Sequence, residues 1–320
     1  MSNKHESLHR ADSSDLFAYT LCALTYGVVL SLYCLLVGSS YRGFRRPGQR
    51  TGLLMTLVYS SLAMIGCTAF FVLTHYLVQV AYVYHRDYPA GPSVYGRKIL
   101  SSKPPYRASI AMVAALDWLT SGIQIWRLHI IWYGASYYPF IIVLAFLLHL
   151  ACVGVGIANV IANPVFAEYW YWIGVAFFGI PPVMTMLVTT LISIRLLHFR
   201  RRHIDIMGDT ITTKQYAGIV AMLIECYALD AIWSLLTVAV HAAEPALVGL
   251  VFILSAPNIK VIALLLVSYR VVEGRAWRTH HTEKEISTLR WNHSLTYQGN
   301  QFTTGPFIPQ TSGISESSRA

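Results

Sequence analysis

Residues 116–132 read LDWLTSGIQIWRLHIIW, an apolar stretch that nevertheless contains Asp117, Gln124 and Arg127. It belongs to an apolar run at 108–133, longer than the roughly 20 residues a helix needs to cross about 30 Å of hydrocarbon. An ionised side chain at mid-bilayer costs at least ~3 kcal/mol on insertion scales, so these polar groups must face other helices. The stretch therefore predicts one inner helix of a membrane-embedded bundle.

Six further apolar runs repeat this pattern in a chain of 320 residues that is 55% apolar and 12% charged. The seven predicted spans are 16–39, 52–83, 108–133, 140–162, 169–197, 216–240 and 246–272. The runs are continuous rather than alternating, which excludes membrane strands. The predicted fold is an all-α membrane protein, a seven-transmembrane helix bundle, whose first partner is the lipid bilayer.

The distribution of basic residues predicts the orientation of the bundle. Lys and Arg are more frequent in the segments that lie inside when the N-terminus is outside and the C-terminus is cytosolic. We expect an extracellular N-terminal tail at 1–15, a membrane domain at 16–272 and a cytosolic tail at 273–320. This sorting accounts for the net charge of +9 without a nucleic-acid partner. The plasma membrane is the favoured location, and other endomembranes stay open.

In the cytosolic tail, Trp277 predicts a short interfacial helix, followed by a disordered composition. On this topology the glycosylation sequon at Asn292 faces the cytosol, so we expect it to carry no glycan.

The third span carries a polar stripe on one helical face. At 100° per residue the stripe groups Asp117, Thr120, Ser121 and Gln124, with Arg127 at its margin and Trp126 on the opposite side.

The sixth and seventh spans supply polar partners for this stripe, namely Glu225, Asp230, Asn258 and Lys260. The three ionisable ones, Glu225, Asp230 and Lys260, lie at a depth similar to that of Asp117. Lys260 is expected to pair with Asp117 or Asp230. Asn258 and Lys260 point in nearly opposite directions on an ideal helix, so a shared site needs a distortion at Pro257 or a wide interior. A ligand or proton site and a purely structural role both stay open.

Other chemistry-bearing residues do not form a catalytic or metal motif. His75, His129 and His149 are scattered over three spans and predict hydrogen-bonded packing, and the five cysteines all fall within spans. The segment GVGIAN at 154–159 predicts close helix packing rather than a nucleotide site. Pro181 and Pro182 predict a kink in the fifth span. No metal, cofactor or catalytic residue is predicted.

The basic segment 198–215 contains Arg200, Arg201 and Arg202 on the predicted cytosolic side. Together with the Ser/Thr-rich tail it predicts a surface for a cytosolic signalling partner.

Four segments carry a resemblance to a known group of proteins. They are WRLHIIW at 126–132, LISIRLLHFRRR at 191–202, YAGIVAMLIECYAL at 216–229 and LLVSYRVVEGRAW at 265–277. In these the chain resembles an uncharacterised group of basidiomycete fungal seven-span membrane proteins. The resemblance implies a receptor-like bundle and no catalytic residue.

Competing functions follow from the same residues. The first is a divergent receptor-like sensor, although the third span lacks an Asp-Arg-Tyr end. The second is a membrane-embedded enzyme on an apolar substrate, using Asp117, Glu225 or Asp230 as the acid in the manner of terpene cyclases. A retinal-binding protein using Lys260, a transporter and a scaffold are further alternatives.

Overall fold

The computed structural model describes residues 2–44, 50–89, 91–135, 137–162, 167–207, 211–243 and 249–273. Within these ranges the chain forms eight α-helices and no strand. They are α1 (Ser2–Phe44), α2 (Arg50–Gln79), α3 (Pro92–Lys98), α4 (Pro104–Trp132), α5 (Tyr138–Ala162), α6 (Ala167–Met207), α7 (Ile211–Ala242) and α8 (Gly249–Glu273). A π-helical turn at Val80–Tyr84 extends α2, and a 3-10 turn at Leu100–Ser102 precedes α4.

Seven of these helices, all except α3, are long and apolar enough to cross a membrane, which confirms the predicted set of spans. The α5 helix illustrates the pattern, because Phe140, Phe146, Leu147 and Ile161 on its surface are all exposed. Such a band of exposed apolar side chains would be unfavourable in water and suits contact with lipid chains. The chain is an α-helical multi-pass membrane protein.

Successive long helices alternate in direction, so the bundle has two ends. The end that carries α3 is called the α3 end; it holds the starts of α4 and α8 and the end of α7. The opposite end, where α8 finishes, is called the tail end. At 1.5 Å per residue the 29 residues of α4 span roughly 43 Å, close to the thickness of a bilayer with its headgroups.

The helices α4 and α8 lie at the centre of the bundle. In their most apolar stretches 61% of α8 and 44% of α4 are buried, against 17–33% for the other five. One core cluster joins α8 to α1, α2 and α4, with Leu265 and Leu116 among its buried members. A second joins α4 to α5, α6 and α7 around Leu128 and Met184. Polar residues in the middle of these two helices, such as Asp117, Gln124 and Asn258, are therefore buried by neighbouring helices.

The loop at the α3 end is folded onto the bundle. Leu77, Ala81, Tyr95 and Leu100 form a small buried cluster there. Tyr95 stacks on His85 with ring centroids 4.1 Å apart. The connection between α2 and α4, which contains no predicted span, is thus a compact cap.

Two segments contain more helix than the sequence suggests. The stretch 2–15, expected as a tail, is the first part of α1, and 198–215 is helical except for residues 208–210, which are not described. The charged side chains that end the apolar runs do not interrupt backbone hydrogen bonding, so the helices continue beyond them. The α6 helix also continues through Pro181 and Pro182. The tail at 274–320, with Trp277 and Asn292, lies outside the described residues.

Candidate functional site

A buried ion pair joins the two central helices. Lys260 Nζ on α8 lies 2.6 Å from Asp117 Oδ1 on α4, and only 13% and 6% of the two side chains are exposed. At this separation the contact is a charge-assisted hydrogen bond as well as an ion pair. Of the two partners predicted for Lys260, the fold selects Asp117.

Asp230 on α7 adds a second carboxylate to this region. It is buried, and its charge interacts with those of Lys260 and Asp117. Ser234, one turn later on the same helix, donates a long hydrogen bond of 3.4 Å to its Oδ1 atom. The ammonium that is paired with Asp117 is therefore also near a second carboxyl group, and the set Asp117, Asp230 and Lys260 is called the charged node.

The three members of the charged node lie at the same depth. Asp117 is thirteen residues after Pro104, Lys260 is eleven after Gly249, and Asp230 is twelve before Ala242. These helix ends all belong to the α3 end, so the node lies about 18 Å below it. That distance is close to half the bilayer thickness.

A small cavity adjoins the charged node on the side of α5 and α6. It has about 10 Å³ of space for the centre of a water molecule, and its lining includes Asp117, Trp118, Cys152 and Phe177. This is room for about one water. Ligand pockets commonly have volumes of about 300–1,000 Å³, so this cavity is too small for such a ligand in this conformation.

A second polar contact joins the same three helices nearer the tail end. Arg127 on α4 donates from Nη1 to the hydroxyl of Tyr227 on α7 at 2.9 Å, and from Nη2 to Ser268 Oγ on α8 at 3.3 Å. These three residues are called the arginine node. The predicted margin position of Arg127 on the stripe fits this placement, because the residue is only half-buried.

The other members of the predicted stripe face different helices. Ser121 shares a hydrogen bond of 2.9 Å with His149 Nδ1 on α5 and also donates to the Asp117 carbonyl. Gln124 donates to Thr185 on α6 at 3.5 Å, and its Oε1 atom has no hydrogen-bond partner among the described residues. Trp126 is exposed on the opposite side of α4, as the helical periodicity predicts.

Asn258 belongs to a separate junction on the other face of α8. Its Nδ2 donates to the Cys22 carbonyl at 3.0 Å and to Thr25 Oγ1 at 2.8 Å, while its Oδ1 accepts from Cys67 Sγ at 3.0 Å. The side chain thus links α8 to α1 and α2. The shared site with Lys260 is absent because two helical residues two positions apart face away from each other.

Two further sets of predicted residues, on α7 and α6, lie outside the two nodes. Glu225 is exposed on α7 and lies outside the charged node, because five helical residues turn it well away from Asp230. Of the basic residues on the extension of α6, Arg201 is exposed. Arg200 and Arg202 lie on the same helix, and their side chains are outside the described set.

Each of the three spanning histidines has a hydrogen-bond contact, as expected, although His129 is exposed rather than packed in the bundle. His75 contacts the Phe71 carbonyl, His129 contacts the Tyr138 hydroxyl, and His149 contacts Ser121. Among the described residues no group of three or more His, Cys, Asp or Glu is placed to hold a metal ion.

Sequence reasoning missed Tyr227 and Ser268, the hydroxyl partners of Arg127. Hydroxyl residues are frequent in membrane helices, so neither stands out alone. A usable signal was the helical period, because Tyr227 lies three residues before Asp230, and Ser268 lies eight after Lys260. Both positions fall close to the faces that the charged residues define.

The fold and the two nodes define the class of this protein as a seven-helix multi-pass membrane protein with buried polar contacts between its helices. No family model, no curated protein and no solved structure matches the chain.

Proposed function

We propose that this protein is a receptor-like membrane sensor, in which α4, α7 and α8 carry a signal from the α3 end to the tail end. The observation that supports this is the pairing of two polar nodes on the same three helices. The charged node lies at mid-depth, and the arginine node lies further toward the tail end. A change in one node would shift helices that also form the other.

The charged node has the composition of a switch. The ammonium is paired with Asp117 on α4 and is near a second carboxyl group, that of Asp230 on α7, so we expect a displacement of α4 or α7 to change which carboxylate holds Lys260. Buried charges resist intermediate positions, because an unpaired charge in low dielectric is costly. Two discrete arrangements are what a signalling bundle needs.

The proposed output surface is the helical extension at the tail end. The α6 helix runs to Met207, nine residues beyond His198, and α7 begins at Ile211. This hairpin carries Arg200, Arg201 and Arg202, which would face the cytosol in the proposed orientation with the N-terminus outside. A basic hairpin together with the tail suits an acidic cytosolic partner. The resemblance to fungal seven-span proteins, and the plasma membrane as location, belong to the same proposal.

A distance measurement tests the coupling. Spin labels at the exposed positions Arg42 on α1 and Arg201 on α6, in a chain carrying Cys34→Ser, report the arrangement of the tail end. We expect Lys260→Met to shift the distance by roughly 2 Å or more. The matched control is Trp126→Leu, which alters an exposed position on α4 and should leave the distance unchanged. An unaltered distance in Lys260→Met would refute the coupling.

A second measurement tests the output. We expect membranes containing the Lys260→Met chain to differ from wild type in binding of a slowly hydrolysed GTP analogue by co-expressed G proteins. Replacing Arg200, Arg201 and Arg202 with Gln should remove that difference. Equal nucleotide binding with the wild-type chain, the Lys260→Met chain and the chain with the three Gln substitutions would argue against a G-protein partner.

The cavity supports a second candidate, an enzyme that protonates an apolar substrate. Asp117 borders this space together with the rings of Trp118 and Phe177, an acid beside aromatic groups that could stabilise a cation. The cavity would have to enlarge many-fold to admit such a substrate. Incubating membranes that contain the intact protein with an epoxidised prenyl substrate tests this activity. Absence of a cyclised product would refute the enzyme hypothesis. A retinal protein or a transporter would need a similar enlargement around Lys260.

A further inference from the structure

Arg127 carries a positive charge for which the described part of the chain supplies no ion-pair partner. Its two terminal nitrogens donate to the hydroxyls of Tyr227 and Ser268. The nearest buried carboxylate on the same helix, Asp117, is paired with Lys260 instead. A guanidinium stays charged and has five N–H donors, so donors remain beyond these two bonds. A half-buried charge in a membrane protein is costly until an anion compensates it.

The two hydroxyls hold the guanidinium in position. Each hydroxyl oxygen accepts a hydrogen bond from Arg127, and the two side chains are themselves buried, with 5% of Tyr227 and 2% of Ser268 exposed. The half-buried guanidinium therefore offers its remaining N–H donors to an anion that approaches from outside the bundle. Phosphate oxygens, which accept several hydrogen bonds and match the guanidinium fork, are the complementary chemistry.

The depth of the arginine node suits the phosphate of a lipid headgroup. Arg127 lies five residues before Trp132, the last residue of α4, and Ser268 lies five before Glu273, the last of α8. At 1.5 Å per residue the node is about 7.5 Å inside the helix ends. Helices of this length end in the headgroup region, so the node lies near the boundary between headgroups and hydrocarbon.

We infer that Arg127, held in position by Tyr227 and Ser268, binds a phosphate group, with an anionic phospholipid of the tail-end leaflet as its source. A soluble phosphate compound would use the same contacts. The site does not depend on the proposed sensor function, because its chemistry rests on the arginine node alone.

The test uses the full-length chain in nanodiscs of phosphatidylcholine with and without phosphatidic acid. Thermal unfolding is followed with a thiol-reactive dye, and the stabilisation at increasing phosphatidic acid gives an apparent affinity. We expect Arg127→Gln to weaken that affinity roughly tenfold or more, as for loss of a charge-assisted hydrogen bond. Inorganic phosphate added to the phosphatidylcholine discs is the soluble arm, and stabilisation there would make the source a soluble phosphate.

The matched control is Arg42→Gln, which removes an exposed cation from the same end of the bundle. It should keep the wild-type affinity, because it lies outside the arginine node. If Arg127→Gln does not fold, Arg127→Lys replaces it; this variant keeps the charge but loses the fork, and we expect a several-fold loss. Equal losses in the Arg127 and Arg42 variants, or no stabilisation by either phosphate source, would overturn the inference.

Discussion

Replacing Lys260 with Met is the most informative perturbation of the charged node. The ammonium is 2.6 Å from Asp117 and also interacts with Asp230, so its removal leaves two buried carboxylates without a cation. Breaking a buried ion pair by removing one partner costs about 3–5 kcal/mol. We expect Lys260→Met to lower the free energy of unfolding by at least that amount.

Because the node has two carboxylates and one ammonium, we expect substitutions of its three members to lower stability by different amounts. In Asp117→Asn the ammonium keeps the nearby charge of Asp230, so the expected loss is smaller, about 1–3 kcal/mol. In Asp230→Asn the pair of Lys260 and Asp117 stays intact and the extra negative charge disappears. We expect that variant to lie within about 1 kcal/mol of wild type.

The cysteines of the protein provide the assay. Unfolding in mixed micelles exposes thiols to a reactive dye, and Cys34→Ser removes the one exposed thiol that would add background. The four remaining thiols are buried in the folded bundle: Cys22, Cys67, Cys152 and Cys226. Dye reaction therefore reports loss of the tertiary fold.

A triple variant checks the electrostatic reasoning. Changing Asp117 and Asp230 to Asn in the Lys260→Met chain removes every charge of the node, and we expect most of the lost stability to return. The reasoning is wrong if the triple variant is as unstable as Lys260→Met alone. It is also wrong if Asp230→Asn costs as much as Lys260→Met.

Three other predictions use the same preparation. Gly156→Leu should destabilise the bundle by about 1–3 kcal/mol, because a Cβ there would lie 3.0 Å from the indole of Trp118 on α4. A Cβ at Gly154 has nothing within 4 Å, so Gly154→Leu should be neutral in the same unfolding assay. Equal effects of the two variants would contradict the packing geometry. Asn258→Ala should speed labelling of Cys67, which loses its hydrogen-bond acceptor, and unchanged labelling would show that the junction does not hold α2. Added retinal should give no visible absorption band, because Lys260 is ion-paired and the adjoining cavity has room for about one water; a band would revive the retinal alternative.

The sequence by itself determined that seven helices cross a membrane. Hydrocarbon requires long apolar runs, and those runs are visible in composition alone. It also determined that the polar stripe of α4 faces inward, since the cost of exposing Asp117 to lipid follows from its charge and position. The outward placement of Trp126 followed from the period of 3.6 residues.

Only the tertiary structure decided which polar groups meet. Asp117 and Asp230 were equal candidates for Lys260, because partner choice depends on the rotation and separation of helices that are far apart in sequence. The same rotations sent Asn258 to α1 and α2, and they left Glu225 on the surface. Periodicity fixes the direction of a side chain relative to its own helix, whereas the direction of that helix relative to its neighbours arises from packing of the whole bundle.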